Sequence, residues 1–431
     1  MFSVNVEQKE LDPEFHNESS HTEFRLNDLN VTYLSSMRLA NVCAHGTGVS
    51  SSYNNACGVK ALIKNITLFD GSVVLAQLNN SAPYLAFKGI NRNNSDQREK
   101  RKVNLDTVAM MNYSVGGSQR QNQISIASSQ VIGGANSTEA TSQKGYIDLT
   151  EVLHELRSLR YLPTSLFKNL RLYIQWNTDP AIVLAEAKTA TVVKIGTPIL
   201  VVDTISDAKT QSQLLSSIRN VAMVGIENER VSIPKILIAA SPKTTDLVLK
   251  GYDNKTVRRM LFINSPTEEI EGVYETDDQG VKATNFPLLC NGRLNSLAQR
   301  DMILQLNING SALFNGQGLT GHNRRAGVLA DTFGDVILTQ YGNSTGVYGV
   351  EDNNGGTRDL KEFSFGRDYT GFSVNASIRT LQLSYTRTAL ADGDAAICRP
   401  QALNQALNLN IYGEVLKSFS INGGSYDIAY V

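Results

Sequence analysis

Segment after segment of this chain alternates apolar and polar residues with a period of two, and that pattern constrains the fold more than any other feature. LRLYIQW (170–176), MILQLNI (302–308), SIRTLQLSYTR (377–387) and LNLNIYGEVLKSFSI (407–421) all show it. Successive side chains on a strand point to opposite faces, so such runs read as strands with one face turned to a core. Further β-branched or apolar runs, among them LNVTYLSSMRLANV (29–42), VKALIKNITLFDG (59–71), TATVVKI (189–195), PILVVDTI (198–205) and TDLVLKGYDNKTVRRMLFIN (245–264), lie between Asn/Gly/Ser-rich turns. Asp70-Gly71 is a hairpin dipeptide, because both central positions of that turn favour positive φ. An all-β chain of 431 residues exceeds one ordinary core and suits two domains of about 200 residues each.

Two stretches break the strand texture. In DLTEVLHELRSLRYLP (148–163), Leu149, Val152, Leu153 and Leu156 fall on one helical face, and Asp148 and Glu151 have capping-box spacing. Pro163 is expected to end that helix and fix the entry into the next strand, which closes on Trp176, the only tryptophan. Trp176 is expected in the core and His154 as a packed bystander. SDAKTQSQLLSSIRN (206–220) predicts a second helix, capped by Ser206 or Asp207, with Leu214, Leu215 and Ile218 on one face. It places the domain division at 29–205 and 206–431. Residues 1–28, carrying Glu7, Glu10, Asp12, Glu14 and Glu18, show neither period and read as an extended polar arm. The long polar segment from Gly89 to Lys144 reads as an irregular, interaction-bearing loop.

Forty Lys+Arg against 41 Asp+Glu leave a net charge of −1, so no global field draws the chain to nucleic acid or an anionic membrane. The start, MFSVNVEQKELDPEF, lacks the basic-then-apolar pattern of a secretory signal, and no apolar run approaches the roughly 20 residues of a membrane-spanning helix. An intracellular product is expected, with Cys43, Cys57, Cys290 and Cys398 as free thiols. Triplets such as Asn65-Ile66-Thr67 and Asn375-Ala376-Ser377 then match the glycosylation pattern by chance.

Candidate chemistry is sparse. Gly316-Gln317-Gly318-Leu319-Thr320-Gly321 fits a dinucleotide loop, but no apolar helical stripe follows to hold the pyrophosphate, so a surface loop is expected. His16 with His21, and Cys43, His45 and Cys57, have partial metal-site spacing but lack four convergent ligands. Glu268-Glu269, Asp277-Asp278 and Asp392/Asp394 sit in turn-like segments. Basic groups at Arg98, Lys100, Arg101 and Lys102, at Arg258-Arg259 and at Arg324-Arg325 lack interleaved aromatics and read as solvated loops or intersubunit contacts. No catalytic, cofactor-binding or metal-binding residue is assigned, and no enzyme activity is expected.

YNNACGVKALIKNITLFDGSVVLAQL, DLTEVLHELRSLRYLPTSLFKNLRLYIQW, LKGYDNKTVRRMLFIN and ALNLNIYGEVLKSFSINGGSYDIAYV resemble, in order and style, the double jelly-roll major capsid proteins of virophages and Polinton-like viruses. The resemblance implies two consecutive eight-stranded jelly rolls with a few short helices in connections. It also implies homotrimers with a pseudo-hexagonal outline, which tile an icosahedral virion shell beside penton and minor capsid proteins, with synthesis in the host cytoplasm. It carries no catalytic residues and no cofactor. Asp148, Leu149, Glu151, Val152, Leu153, Leu156, Pro163 and Trp176 then mark a helix crossing between two late strands of the first roll. The segments 89–144 and 315–370 become outward loops, and the acidic arm a contact for a basic minor protein. Competing readings are a minor capsid or penton protein, and a β-sandwich receptor- or carbohydrate-binding module.

Overall fold

The computed structural model describes residues 6–26, 32–47, 53, 58–91, 113–115, 118–120, 137–183, 186–187, 192–217, 220–234, 243–266, 282–283, 303–316, 318–319, 328–329, 331–333, 369–387, 407–422 and 424–431. Two antiparallel β-sandwiches follow one another along the chain. In the first, Glu7–Leu11 pairs with Ile199–Ile205, which also pairs with Thr32–Leu34 and Arg38–Val42. Those two segments carry Tyr161–Pro163 and Gly145–Asp148 on their far side. The second sheet of this roll runs Phe15–His16, His21–Arg25, Leu170–Trp176, Ile63–Asp70, Val73–Leu78.

The other sandwich repeats this plan. One sheet runs Asn220–Ile233, Leu407–Asn422, Lys255–Pro266, Tyr369–Ile378, and its partner runs Lys243–Val248, Leu381–Arg387, Ile303–Ile308, Ser311–Ala312. In both, the opening strand pairs with a closing one: Glu7–Leu11 with Ile199–Ile205, and Asn220–Ile233 with Leu407–Asn422. A nested pair follows in each, His21–Arg25 with Leu170–Trp176 and Lys243–Val248 with Leu381–Arg387. This wrapping of antiparallel pairs is the jelly-roll path, made twice. The helix Ala208–Ser217 joins the rolls, capped by Asp207, whose Oδ2 accepts from Thr210 N at 2.8 Å. Leu214 and Leu215 are half-buried on it, and Ile218 lies outside the described residues.

Strand numbers depart from eight per roll: the described sheets hold six and five strands in the first roll, five and four in the second. Two strand positions of the first roll are each broken in two, Phe15–His16 is added, and Ser425–Tyr430 adds to the second roll by pairing with Leu407–Asn422.

The expected arm is a further correction. Residues 7–11, 15–16 and 21–25 are strands of the first roll, with Thr22 and Phe24 fully buried. Glu7–Leu11 escapes a periodicity reading because it is an edge strand, joined by backbone bonds while its side chains stay mostly exposed. Its neighbours' acids are paired within the chain: Glu14 and Glu23 meet Arg171 at 2.9 and 3.0 Å, and Glu18 meets Lys194.

The hairpin after Ile63–Asp70 forms one residue later than expected. Asp70 pairs with Val73, so Gly71 and Ser72 make the turn, and only Gly71 has positive φ (+58), as in a type II′ turn. The helix Ser81–Asn91 went unpredicted and overlaps the start of the loop placed at Gly89–Lys144. Within that loop Tyr113–Val115 and Ser118–Arg120 also pair.

Candidate functional site: the seam between the two rolls

A sheet of the second roll packs on the first, with Leu261, Ile263, Tyr412 and Phe419 of its inner strands joining the first roll's core cluster. Val73–Leu78, at the edge of one first-roll sheet, lies beside Asn220–Ile233, at the edge of a second-roll sheet. The stretch 149–160 is not a crossing helix between two strands but an excursion within one strand position. Gly145–Asp148 before it and Tyr161–Pro163 after it pair with the same Thr32–Val42 edge. It forms two single turns, Leu149–Val152 and Glu155–Ser158, with Leu153 extended between them. A continuous helix turns 100° per residue and would expose part of any five-residue run. The break lets Val152, Leu153, His154, Glu155 and Leu156 all be buried.

That excursion delivers Glu155, 0% exposed, to the second roll. Its Oε1 accepts from Lys417 Nζ at 2.9 Å, and Lys417 Nζ stands 3.6 Å from Glu227 Oε1. Lys255 Nζ lies 3.5 Å from Glu227 Oε2, while Tyr430 donates its hydroxyl to Glu227 Oε1 at 2.6 Å and receives Lys255 over its ring at 4.4 Å. Burial drives the Glu155 carboxyl above its ordinary pKa, and Lys417 opposes that rise. Gly225 makes the approach possible, since a Cβ there would stand 2.6 Å from Glu155 Oε1 and 2.8 Å from Lys417 Nζ.

Neutral groups continue the seam. Asn80, at φ +48, donates through Nδ2 to Asn410 Oδ1 at 2.7 Å, and its carbonyl accepts the Tyr412 hydroxyl at 2.6 Å. Tyr84 of the first roll packs its ring on Tyr412 at 5.2 Å. Asp70, at the first-roll hairpin, accepts from Tyr426 of the C-terminal strand at 2.8 Å, and Phe167 packs on the same tyrosine at 4.9 Å. Arg259 meets Glu414 at 2.6 and 2.7 Å and covers Phe333 at 4.6 Å, and Phe333 abuts Phe87 of the first roll edge-on at 5.4 Å.

The residues singled out from sequence fall as follows. Asp148 caps the first turn, accepting from Thr150 N at 2.9 Å, whereas Glu151 reaches Lys60 Nζ at 2.6 Å. Leu149, Val152, Leu153 and Leu156 are at most 1% exposed. Pro163 sits at a sheet edge opposite Thr32, where its missing N–H is tolerated. Trp176 donates through Nε1 to Thr22 Oγ1 at 2.8 Å, and His16 Nδ1 lies 2.7 Å from the same hydroxyl. His16 Nε2 faces the Ile195 carbonyl at 3.2 Å, so the hydroxyl donates to Nδ1 and Nε2–H to the carbonyl. His154 Nε2 faces the Tyr84 hydroxyl at 3.3 Å.

Among the described residues no three His, Cys, Asp or Glu side chains converge as metal ligands. Cys43 is buried, which pushes its thiol up to about 11. Leu319, inside the glycine motif, spends its N–H and carbonyl on Leu304 at 2.6 and 3.2 Å, and Gln317, Thr320 and Gly321 lie outside the described residues. No described helix is long and apolar enough to cross a membrane. Cys57, Cys290, Cys398, Arg98, Lys100–Lys102, Arg324, Arg325 and the paired acids at 268–269, 277–278, 392 and 394 lie outside the described residues. Sequence reasoning missed Glu155, Glu227, Asn410 and Lys417. Asn410 sits on the polar side of an alternating run, which reads as solvated; Lys417 interrupts the apolar side of the same run, and that charge among Leu409, Ile411, Val415 and Phe419 was the one available signal.

No family model and no curated protein matches the sequence. Solved structures do match over the whole chain. The PBCV-1 VP54 structure fitted into a reconstruction of the virophage Sputnik gives a TM-score of 0.60 at 12% identity, covering 100% of this chain and 98% of that one. A cryo-EM structure of the Sputnik virophage gives 0.57 at 9% identity, covering 100% and 89%. The Faustovirus major capsid protein gives 0.50 at 8% identity, covering 97% and 91%. With the sheet order made twice along one chain, this likeness shows the fold to be the double jelly roll.

Proposed function

We propose that this chain is a viral major capsid protein, a structural subunit and not an enzyme, whose place is the virion shell. The observation that carries the reading is the pair of jelly rolls docked through a buried polar seam, in a chain that aligns over 97% of its length with the Faustovirus major capsid protein. Docking the two rolls into one unit still leaves free sheet edges, which suits repeated lateral packing. In the finer reading, three copies form a pseudo-hexagonal capsomer that meets neighbouring capsomers, penton and minor capsid proteins. The division into units at 29–205 and 206–431 belongs to that reading, amended by the strands contributed from residues 7–25.

A carbohydrate-binding module is the poorer reading. Of the aromatic row Phe15, His21, Tyr173 only Phe15 is exposed, and it stacks on His21 at 4.7 Å, with Tyr173 tilted against the imidazole at 5.1 Å, so the row offers no broad open platform to a sugar. Mass measurement and negative-stain imaging of the purified full chain test the proposal. Trimers with a hexagonal outline are expected; pentamers would favour a penton protein, and monomers at every concentration would overturn the capsomer reading.

A further inference from the structure

We propose that Glu155 is a proton-binding latch of the inter-roll seam, taking up a proton at its unpartnered Oε2 and thereby tightening the docking of the first roll on the second. The residue is fully buried, and only one of its two oxygens has a partner: Oε1 holds Lys417 Nζ, whereas Oε2 meets no donor. Lys417 and the residue's own backbone N–H favour the ionised form, but with no hydrogen-bond donor at Oε2 the hydration lost there is not replaced. Protonation removes the charge while Oε1 goes on accepting from Lys417.

The surrounding groups favour the same outcome. Lys417 does not depend on Glu155 alone, because Glu227 lies 3.6 Å from its Nζ and its ammonium lies 5.3 Å from the Tyr430 ring. Glu227 in turn is held by Lys255 and by the Tyr430 hydroxyl. Facing Glu155 are therefore one lysine already shared, a second carboxylate that disfavours ionisation, and a tyrosine whose own pKa is raised by burial and by Glu227. On its own segment, His154 turns to Tyr84 instead.

A carboxyl whose pKa is raised by folding contributes stability that is fully present below the unfolded value and is lost as pH rises through the folded one. The seam is thus firmer in mild acid than in alkali. The test is urea unfolding of the full chain between about pH 5 and about pH 9, comparing wild type with Glu155→Gln, a neutral isostere. One proton changes the folding constant by at most about tenfold per pH unit. Wild type is expected to lose stability on the alkaline side relative to the variant, which keeps it; the difference between the two isolates Glu155 from every other titrating group. Parallel pH profiles, or a variant that is less stable than wild type across the whole range or does not fold, would overturn the proposal. The inference rests on the fold and does not depend on the capsid reading.

Discussion

Replacing Lys417 by methionine is the sharpest perturbation of the seam. The change keeps the buried aliphatic length but strips Glu155, 0% exposed, of its donor at 2.9 Å. Breaking a buried pair by removing one partner costs about 3–5 kcal/mol, chiefly because the remaining charge is stranded. Here the cost has a ceiling, since Glu155 can protonate. With an ordinary carboxyl value of 4.5, and about 1.4 kcal/mol per pH unit, neutralising it at pH 7 costs about 3.4 kcal/mol. Glu227 loses less, keeping Lys255 at 3.5 Å and the Tyr430 hydroxyl. Burial already raises the Glu155 pKa in the wild type, so part of that cost is borne before the substitution, and urea unfolding of K417M is expected to show a loss at pH 7 below the ceiling of about 3.4 kcal/mol, shrinking by up to about 1.4 kcal/mol for each pH unit of acidification. The double variant K417M/E155Q should recover most of it. A loss that does not vary with pH, or a double variant as unstable as K417M, would refute the reasoning.

Three further outcomes follow from other parts of the fold. Trp176→Phe removes the donor to Thr22 Oγ1 and should cost about 1–2 kcal/mol in thermal or urea unfolding, with no change in assembly state. His16 is held neutral by burial, so its pKa lies below the ordinary 6.5; its contribution is fully present above that value and is lost as pH falls beneath it, and His16→Gln should flatten the acid limb of the stability profile. Deleting residues 1–28 takes the pairing partners from Ile199–Ile205 and Leu170–Trp176, so no soluble, cooperatively unfolding protein is expected; a truncated chain with the full-length urea midpoint would contradict the strand assignment.

Much of the architecture was legible because alternation is a local signal. Leu170, Leu172, Ile174 and Trp176 are buried on one face as their spacing requires, whereas Leu149, Val152, Leu153 and Leu156 are buried in two single turns and not on the continuous helix their spacing predicts. What stayed hidden depends on long-range pairing. Glu7–Leu11 is a strand because Ile199–Ile205 offers it an edge, nearly two hundred residues away, and nothing in EQKEL announces that. Ser81–Asn91 carries only weak amphipathic character next to a polar tract, so it merged with the loop. The seam is the deepest case. Asn408, Asn410 and Glu414 alternate with Leu409, Ile411 and Val415, and the pattern says correctly that the two sets face opposite ways. It cannot say that Asn410 meets Asn80 of another roll, or that Glu414 is buried against Arg259.

That misreading has a physical lesson about how two rolls become one unit. A sandwich sheet buries one face on its own core, and here Leu409, Ile411 and Val415 supply it for the second roll. Tyr412, on the opposite face of the same strand, joins the core cluster of the first roll, as do Phe419 farther along the strand and Met223 and Ile226 of its neighbour. An apolar surface of that size would be a hazard in a free second roll. A surface that mixes Asn410 and Lys417 among these residues is tolerable in water, and both find further partners when Asn80 and Glu155 arrive from the first roll. Polar seam residues thus favour one docked arrangement over others, because a shifted register would strand Lys417 and Glu155 at a cost of several kcal/mol each. The C-terminal strand reinforces the choice by fixing Tyr426 to Asp70 of the first roll and Tyr430 to Glu227 of the second. With contacts of this kind distributed along the seam, the rolls should unfold in a single transition, and a second roll isolated from residue 206 onward should be soluble only in partly folded form.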